Sequence, residues 1–240
     1  MKVRIGNFLY HHRNVLFPIV YALLFIKGPL LMPDYRVAAI AGFLVAFSGQ
    51  VLRGATVGLD YIKRGGKNRM PYADDLVTGG LFSHCRNPLY VGNVTILIGA
   101  GIASNSLLFM TAGLAFFLFT YSCIVAAEEN FLRGKFGGDF DDYCSRVGRF
   151  TFNPRGLGET MRSMRFNWRR LISAEYNSAF IWLLASSAGV LQNAWRADEI
   201  GGPVATAAMT LLGLSVLGYL IARILKKTGR LRQPVAAQAC

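Results

Sequence analysis

Six long apolar segments constrain the fold of this sequence more than any other feature. A helix needs about 20 predominantly apolar residues to cross the hydrocarbon core of a bilayer. The segments lie roughly at 15–33, 37–59, 88–104, 106–127, 177–195 and 202–225. Charged residues make up 16% of the chain, whereas soluble globular domains usually carry about 25%. We therefore expect an all-α, polytopic transmembrane helix bundle with about six spans.

The connections between the apolar segments differ in length. Only residues 104–106 join the third and fourth segments, so these should form a tight antiparallel helical hairpin. The stretches 60–87 and 128–176 are longer than simple connections between helices, and loops of that length are usually functional. In the second stretch, aromatic residues recur among charges in a helical pattern that the glycine pair 137–138 interrupts. This pattern predicts two short helices on the cytoplasmic membrane surface.

We expect three parts along the chain. Residues 1–60 would hold the first two transmembrane helices, and residues 61–158 a functional core with the helical hairpin. Residues 159–240 would hold a basic linker and the last two spans, for which packing is the expected role. The first span contains Lys27 and has no small-residue cleavage site after it, so it should remain in the mature chain.

The basic residues follow the expected membrane topology. All but Lys27, Arg36 and Arg196 fall in the N-terminal stretch, in the two long loops or at the C-terminus. Arg53 is counted here with the loop between the second and third spans. Lys and Arg accumulate in cytoplasmic loops, whereas Asp and Glu have little influence on orientation. We therefore expect a multi-pass integral membrane protein with both termini and the active site in the cytoplasm.

The net charge of +13 does not by itself indicate nucleic-acid binding, because the basic residues form no recognisable nucleic-acid motif. Anionic membrane lipids are the expected partners. The four cysteines show no paired spacing, and the three histidines have no partners at metal-ligand spacing. The sequence therefore predicts neither nucleic-acid binding nor a metal site.

The segment LVTGGLFSHCRNPLYVGN, residues 76–93, places an arginine and a proline at the start of the third span. Pro88 suits the first helical turn, where its missing N–H would have no partner. Arg86 adds a positive charge beside the N–H groups of that helix start, which attract anions. The fourth span ends at Glu128 and Glu129, which the hairpin would bring to the same membrane face. We expect a pocket there for a small ligand that carries both charges.

The segment DDLVTGGLFSHCRNPLYVGN, followed after the hairpin by EENFLRGKFGGDFDDYCSRV, resembles a family of integral-membrane methyltransferases. This is the group of isoprenylcysteine carboxyl methyltransferases and phospholipid methyltransferases. The resemblance covers residues 74–147 and combines both blocks with the hairpin between them. It implies an S-adenosylmethionine-dependent methyltransferase that acts on a lipophilic, lipid-like or isoprenoid substrate in the membrane.

The resemblance also implies the residues of the site. Those expected to bind S-adenosylmethionine are Asp74, Asp75, Leu76, Val77, Phe82, Arg86, Asn87, Pro88, Leu89, Tyr90 and Glu128. Arg86 and Glu129 are the expected catalytic residues, and Glu129 or Asp75 could deprotonate an amine acceptor. Glutamates suit the ammonium or ribose hydroxyls of the cofactor, Arg86 suits its carboxylate, and aromatic faces suit its adenine or sulfonium.

Three positions depart from the family pattern. Asn87 stands in place of a histidine and keeps hydrogen-bonding capacity without a ring, and Phe82 replaces a tyrosine and lacks its hydroxyl. Ile124 occupies the position where the carboxyl methyltransferases of this group carry an arginine thought to meet the substrate. This last departure disfavours a prenylcysteine carboxylate as the acceptor.

Two alternatives remain open on the sequence alone. Phospholipid N-methylation fits the same motif pattern, although no residue marks it specifically. A non-enzymatic membrane protein that retains the fold would have the same spans and a pocket with another use. Binding of S-adenosylhomocysteine separates these classes, because a ligand stabilises the folded protein that binds it.

Overall fold

Helices form most of the protein, whose computed structural model describes residues 1–59, 64–67, 70–73 and 75–231. The helices are α1 Lys2–Tyr21, α2 Tyr35–Leu59, α3 Pro88–Ala103, α4 Leu114–Phe136, α5 Gly138–Arg146, α6 Leu157–Ser163, α7 Trp168–Arg196 and α8 Pro203–Lys227. Short 3-10 helices lie at Ala22–Leu24 and Gly80–Ser83, and the π-helical turn Phe109–Gly113 leads into α4. Strands β1 Arg64–Lys67 and β2 Met70–Ala73 form an antiparallel hairpin between α2 and α3. The predicted helical class is confirmed.

Among the described residues, three helices are long and apolar enough to cross a membrane by length and composition. They are Tyr35–Gly58, Phe109–Phe136 and Pro203–Lys227. Helix α3 is apolar but shorter, and α1 and α7 carry more polar side chains. The prediction of a membrane helix bundle is therefore confirmed, whereas the count of six spans stays a prediction.

The bounds expected for the first span, 15–33, are wrong. Helix α1 already starts at Lys2, and its 3-10 extension ends at Leu24. The segment 25–34 is not helical and contains two prolines, which lack the N–H that a helix interior requires. The helix therefore includes the polar N-terminal residues that the sequence analysis left outside the membrane span.

Helices α2 and α3 pack backbone against backbone in antiparallel orientation. A Cβ atom placed on Gly42 would lie 2.2 Å from the Ala103 N atom, and one placed on Gly99 would lie 2.3 Å from the Ala46 N atom. Such small residues allow close helix approach where lipid provides no hydrophobic driving force between helices. This contact places the first turns of α3 beside the C-terminal half of α2.

The tight turn predicted at 104–106 is confirmed. Asn105 adopts a φ of 51°, which asparagine tolerates better than most residues. Its side-chain Oδ1 accepts hydrogen bonds from the N–H groups of Leu31 and Met32 at 3.0 and 2.8 Å. Beyond this turn the two helices separate, because α3 packs mainly on α2 and α4 mainly on α1. A space between α3 and α4 results.

Successive long helices run in opposite directions, so their ends gather at two faces. The start of α3 at Pro88 and the end of α4 at Phe136 lie at one of these, here called the site face. The starts of α1 and α7 and the ends of α2 and α8 lie there too. Lys226 Nζ of α8, for example, donates to Ser173 O near the start of α7 at 2.9 Å.

The predicted helix break at the glycine pair 137–138 is confirmed. Gly137 has a φ of 52° and separates α4 from α5. The first of the two expected surface helices is the last part of α4 and not a separate element. Helix α5 buries Phe140 and Tyr143 against Ala73 at the end of β2, so it covers the site face beside the motif.

Candidate functional site

The residues that precede α3 are held by the segment that follows α5. The Arg86 N–H donates to Gly148 O at 2.9 Å, and Asn87 Nδ2 donates to Arg149 O at 3.1 Å. His84 is buried, and its Nδ1 lies 2.7 Å from Asn153 O. The first sequence block is therefore held by backbone oxygens of residues 148–153, which directly follow the second block and which the sequence analysis did not single out.

Arg86 and Glu129 meet, as the hairpin argument required. Arg86 Nη1 lies 3.2 Å from Glu129 Oε1, and the Glu129 side chain is 7% exposed. A second arginine shares the same carboxylate, because Arg149 Nε donates to Glu129 Oε1 at 3.0 Å. Glu129 is thus the centre of an ion cluster, and two guanidinium groups compensate its buried charge.

Glu128 points to a different place from its neighbour. Its Oε1 accepts a hydrogen bond of 2.9 Å from the Tyr90 hydroxyl on α3. Both side chains line a cavity of about 1100 Å³ between α1, α3, α4 and α7. The adjacent glutamates therefore have separate surroundings, because successive residues of a helix project about 100° apart.

The cavity changes in character along its length. Arg13, Asn87 and Glu128 line it near the site face, and the Arg13 guanidinium lies 4.1 Å from the centre of the Tyr10 ring. Towards the opposite face the lining is apolar and aromatic. It includes Phe17, Tyr21, Phe25, Leu97, Ile181, Leu184 and Ala185. The cavity can therefore hold a polar molecule at one end and an apolar chain at the other.

The expected site residues divide between the cavity wall and its support. Phe82, Asn87, Leu89, Tyr90 and Glu128 line the cavity. Among the described residues, Asp75, Leu76, Val77, Arg86, Pro88 and Glu129 are not part of that lining. Asp74 lies outside the residues that the structure describes. Arg86 and Glu129 are thus placed behind the wall, where they position the start of α3 and the end of α4.

The sequence analysis missed a second ion pair, between Arg53 of α2 and Glu175 of α7. Arg53 Nε and Nη2 donate to the Glu175 carboxylate oxygens at 2.8 and 2.7 Å, and the two side chains are 13% and 6% exposed. Gln50 Nε2 also donates to Glu175, at 3.0 Å. The Trp182 Nε1–H in turn donates to Gln50 Oε1 at 3.0 Å.

Arg53 also contacts α3 and lines the cavity. Its Nη1 donates to Asn93 Oδ1, and Asn93 and Trp182 belong to the same lining. The signal for this site was the single arginine inside the apolar run of α2, since ionisable groups within membrane helices usually have a function. The sequence analysis counted Arg53 with the following loop and so missed it, although Arg53 lies inside the apolar segment 37–59 and within α2.

Comparison with known proteins identifies the region that contains most of this site. Residues 38–139 match the family model of phospholipid methyltransferases. The match spans α2, the motif before α3, and the helices α3 and α4, and it confirms the family resemblance seen in the sequence. Helices α1 and α7, which complete the cavity, lie outside the matched range.

Two curated proteins are similar over a shorter stretch. The nickel-cobalt-cadmium resistance protein NccN of Alcaligenes xylosoxydans xylosoxydans is 34% identical over 76 residues, which cover 32% of this chain and 35% of that protein. The cobalt-zinc-cadmium resistance protein CzcN of Cupriavidus metallidurans is 40% identical over 76 residues, covering 31% and 34% of the two chains. The chain thus spans about a third of the length of each relative. No solved structure is significantly similar to the chain.

The described residues contain no group of three or more His, Cys, Asp or Glu side chains that could hold a metal ion. The acidic side chains of the site are engaged instead with Tyr90 and with arginines.

Proposed function

We propose that this chain, whose residues 38–139 match the phospholipid methyltransferase family, is an integral-membrane methyltransferase that uses S-adenosylmethionine. Its acceptor is a lipid-like or isoprenoid molecule dissolved in the bilayer. The observation that carries the proposal is the cavity with Glu128 and Tyr90 at its polar end and apolar side chains at its other end. Such a cavity suits a charged cofactor beside a lipophilic substrate.

The residues at the polar end match the chemistry of S-adenosylmethionine. The Glu128 carboxylate suits the cofactor ammonium or the ribose hydroxyls, and the Arg13 guanidinium suits its carboxylate. The aromatic rings of Phe82, Tyr90 and Phe131 line the same region and suit adenine or a sulfonium cation. Arg13 replaces Arg86 in this assignment, because Arg86 pairs with Glu129 behind the wall.

Bound S-adenosylmethionine would supply a methyl group attached to a positively charged sulfur. The protein contributes mainly alignment, since well-oriented reactants gain large rate factors without covalent catalysis. An anionic acceptor atom needs no base. For an amine acceptor, Glu128 is the carboxylate of the cavity lining, among the described residues, that could accept a proton, whereas Glu129 is paired with two arginines.

The acceptor is proposed to enter from the bilayer between α1 and α7. These helices line the cavity on either side and do not pack closely along their described lengths. The segment after α1 contacts α7 at the far end, where Gln192 Nε2 of α7 donates to Phe25 O at 3.0 Å. The site face is proposed to be cytoplasmic, because the start of α1, the end of α8 and the described basic segments beside them gather there. Lys and Arg accumulate in cytoplasmic segments.

The first candidate reaction is carboxyl O-methylation of the isoprenylcysteine type, which the sequence resemblance implies. Phospholipid N-methylation is the second candidate, and the description of the matching family favours it. Ile124, which lines the cavity from α4, provides no cation for an acceptor carboxylate. A non-enzymatic role would require a cavity that does not bind the cofactor.

Methyl transfer in a reconstituted membrane tests the proposed function. Purified protein in vesicles of host lipid extract is incubated with methyl-labelled S-adenosylmethionine, and label is counted in the organic phase. We expect label to appear with the wild-type protein and with Asp141→Asn, whose exposed ion pair lies outside the cavity. Glu128→Gln should lose most of the signal. Absence of transfer and of cofactor binding by the folded protein would contradict an enzymatic function.

A further inference from the structure

Two basic stretches meet at the site face. Residues 162–170, RSMRFNWRR, contain four arginines, and residues 223–230 at the end of α8 contain two arginines and two lysines, whereas neither stretch contains Asp or Glu. Lys226 Nζ donates to Ser173 O at 2.9 Å, and Arg169 precedes Ser173 by one helical turn on the same face of α7. The two stretches therefore form one positively charged surface, here called the basic surface.

The charge of the basic surface is not neutralised within the described part of the chain. Arg165, Arg169 and Lys227 are exposed, and none of the ion pairs between described residues includes them. The first acidic residue of α7, Glu175, is already paired with Arg53. Because an accumulation of one charge sign attracts an oppositely charged partner, we expect the counter-charge to come from another molecule.

The fold holds the arginine-rich stretch in place. Just before this stretch, Thr160 Oγ1 lies 2.8 Å from His84 Nε2. Within it, the Asn167 N–H donates to Gly58 O near the end of α2 at 2.8 Å. Phe166 packs on the same glycine, since a Cβ atom placed on Gly58 would lie 2.5 Å from the Phe166 ring. The arginines are therefore fixed beside the ends of the long helices.

Aromatic side chains in and beside the basic surface indicate a membrane boundary. The ring centres of Phe166 and Trp168 lie 4.4 Å apart, and Trp168 is 67% exposed. The centre of the Tyr176 ring on α7 lies 5.5 Å from that of Tyr219 on α8 and 5.1 Å from Lys226 Nζ. Tryptophan and tyrosine beside lysine and arginine are typical of the level of the lipid headgroups. This combination favours a lipid bilayer over a nucleic acid as the oppositely charged partner.

The basic surface is separate from the cavity. In the described part of the chain, none of the residues 162–170 and 223–230 belongs to the cavity lining. A molecule bound at this surface is therefore neither the methyl donor nor the acceptor that the cavity would hold.

We propose that the basic surface is a binding site for anionic lipids, whose phosphate groups are bound by its exposed arginines and lysines. Guanidinium groups form charge-assisted hydrogen bonds with phosphate oxygens. A zwitterionic lipid carries the same phosphate, but the cluster of positive charges repels its ammonium group. The surface therefore selects phosphatidylglycerol over phosphatidylcholine. This site goes beyond the proposed function and does not depend on it.

Quenching of tryptophan fluorescence by brominated lipids tests this site, because bromine quenches a tryptophan that it contacts. Trp195→Phe leaves Trp168 as the exposed reporter, and Trp168→Phe leaves Trp195, which is 72% exposed near the end of α7 at the opposite face. The buried Trp182 is common to both proteins. Both reporters are placed in nanodiscs of one mixture of phosphatidylglycerol and phosphatidylcholine. Bromine is carried either by the phosphatidylglycerol or by an equal amount of the phosphatidylcholine.

The two reporters should respond differently. Brominated phosphatidylglycerol should quench Trp168 about twofold more than brominated phosphatidylcholine does, because basic residues near a membrane surface attract anionic lipids. The two brominated lipids should quench Trp195 equally, since the basic surface lies at the other face.

Two double variants in the Trp195→Phe background separate the basic surface from total charge. Arg165→Gln with Arg169→Gln should abolish the preference for phosphatidylglycerol. Lys27→Gln with Arg196→Gln is the matched control, because it also removes two positive charges, but at the opposite face. This control should keep the preference. Size-exclusion chromatography establishes that each variant is folded.

Equal quenching of Trp168 by the two brominated lipids would overturn the inference. So would a preference for phosphatidylglycerol that the folded Arg165→Gln, Arg169→Gln variant retains. If Trp168 shows no lipid preference and the protein in nanodiscs binds a fluorescent single-stranded RNA, the basic surface is a nucleic-acid site and the inference is wrong.

Discussion

Tyr90 and Asn93 lie one turn apart on α3, and each holds a charged side chain from another helix. The Tyr90 hydroxyl donates to Glu128 of α4 at 2.9 Å, and Asn93 Oδ1 accepts from Arg53 of α2. Helix α3 thus places a carboxylate and a guanidinium at successive depths of one cavity. Glu128 belongs to the proposed cofactor region, and Arg53 contacts the same wall one turn of α3 away from it.

Replacing Glu129 should destabilise the protein without removing a cavity-lining group. The Glu129→Gln variant leaves Arg86 and Arg149 without their shared carboxylate, and the Arg86 side chain is only 14% exposed. Breaking a buried ion pair costs about 3–5 kcal/mol. We expect a loss of roughly 2 kcal/mol or more, since Arg149 is 47% exposed and retains solvent. Denaturant unfolding in mixed detergent micelles measures this loss in the free energy of unfolding.

Asp141→Asn is the matched control for that measurement. Its partner Arg133 and Asp141 itself are about half exposed, and exposed ion pairs contribute little to stability because solvent screens them. Equal stability of the two variants would show that the cluster around Glu129 does not stabilise the fold.

The contact between α2 and α3 should not tolerate a side chain at Gly99. A Cβ there would lie 2.3 Å from the Ala46 N atom, whereas Gly213 on α8 has open space around it. We expect Gly99→Leu to prevent recovery of folded protein and Gly213→Leu to leave the yield unchanged. Size-exclusion chromatography of both variants after detergent extraction checks this. Normal recovery of Gly99→Leu would contradict the close packing.

The thiols near the motif should differ in reactivity. Burial raises the pKa of the Cys85 thiol, so less of the reactive thiolate is present at a given pH. Cys144 is only partly buried. In a Cys240→Ser background, maleimide at pH 8 should label Cys144 and spare Cys85, as mass spectrometry of peptides can verify. Rapid labelling of Cys85 in the folded protein would be inconsistent with its buried position.

The ion pair at the face opposite the site should make stability depend on acid pH. Hydrogen bonds from Arg36, then Tyr35, lower the pKa of the Glu199 carboxyl. A carboxyl with a lowered pKa stabilises the folded state above its unfolded value of about 4.3, and this contribution disappears as the pH falls through the folded value. The Tm difference between wild type and Glu199→Gln should therefore shrink below that pH. A difference that is constant from pH 7 to pH 3 would argue against the pair.

Much of the fold could be predicted because the apolar segments and their punctuation are local signals. Pro88 at the start of α3 and the short turn at 104–106 were read correctly from the sequence. The extent of α1 was not predicted correctly, because its N-terminal half mixes polar and apolar residues. Only the surrounding helices provide that half with a buried face.

The site was predictable to the level of its two sequence blocks, but not in the direction of its side chains. Arg86, Glu128 and Glu129 do gather at one face. Which glutamate faces the cavity depends on the rotation of α4 against α1, a tertiary property. Arg53 and Glu175 are 122 residues apart in sequence. No local sequence pattern connects two residues that are so far apart.

Calorimetric titration of the detergent-purified protein with S-adenosylhomocysteine tests the central claim most directly. Wild-type protein and Asp141→Asn should show saturable binding. Glu128→Gln should bind at least about tenfold more weakly, because hydrogen bonds to a charged group contribute about 1.5–3 kcal/mol. A folded wild-type protein that shows no binding, or a Glu128→Gln variant that binds as tightly as wild type, would contradict the assignment of this cavity as the cofactor site.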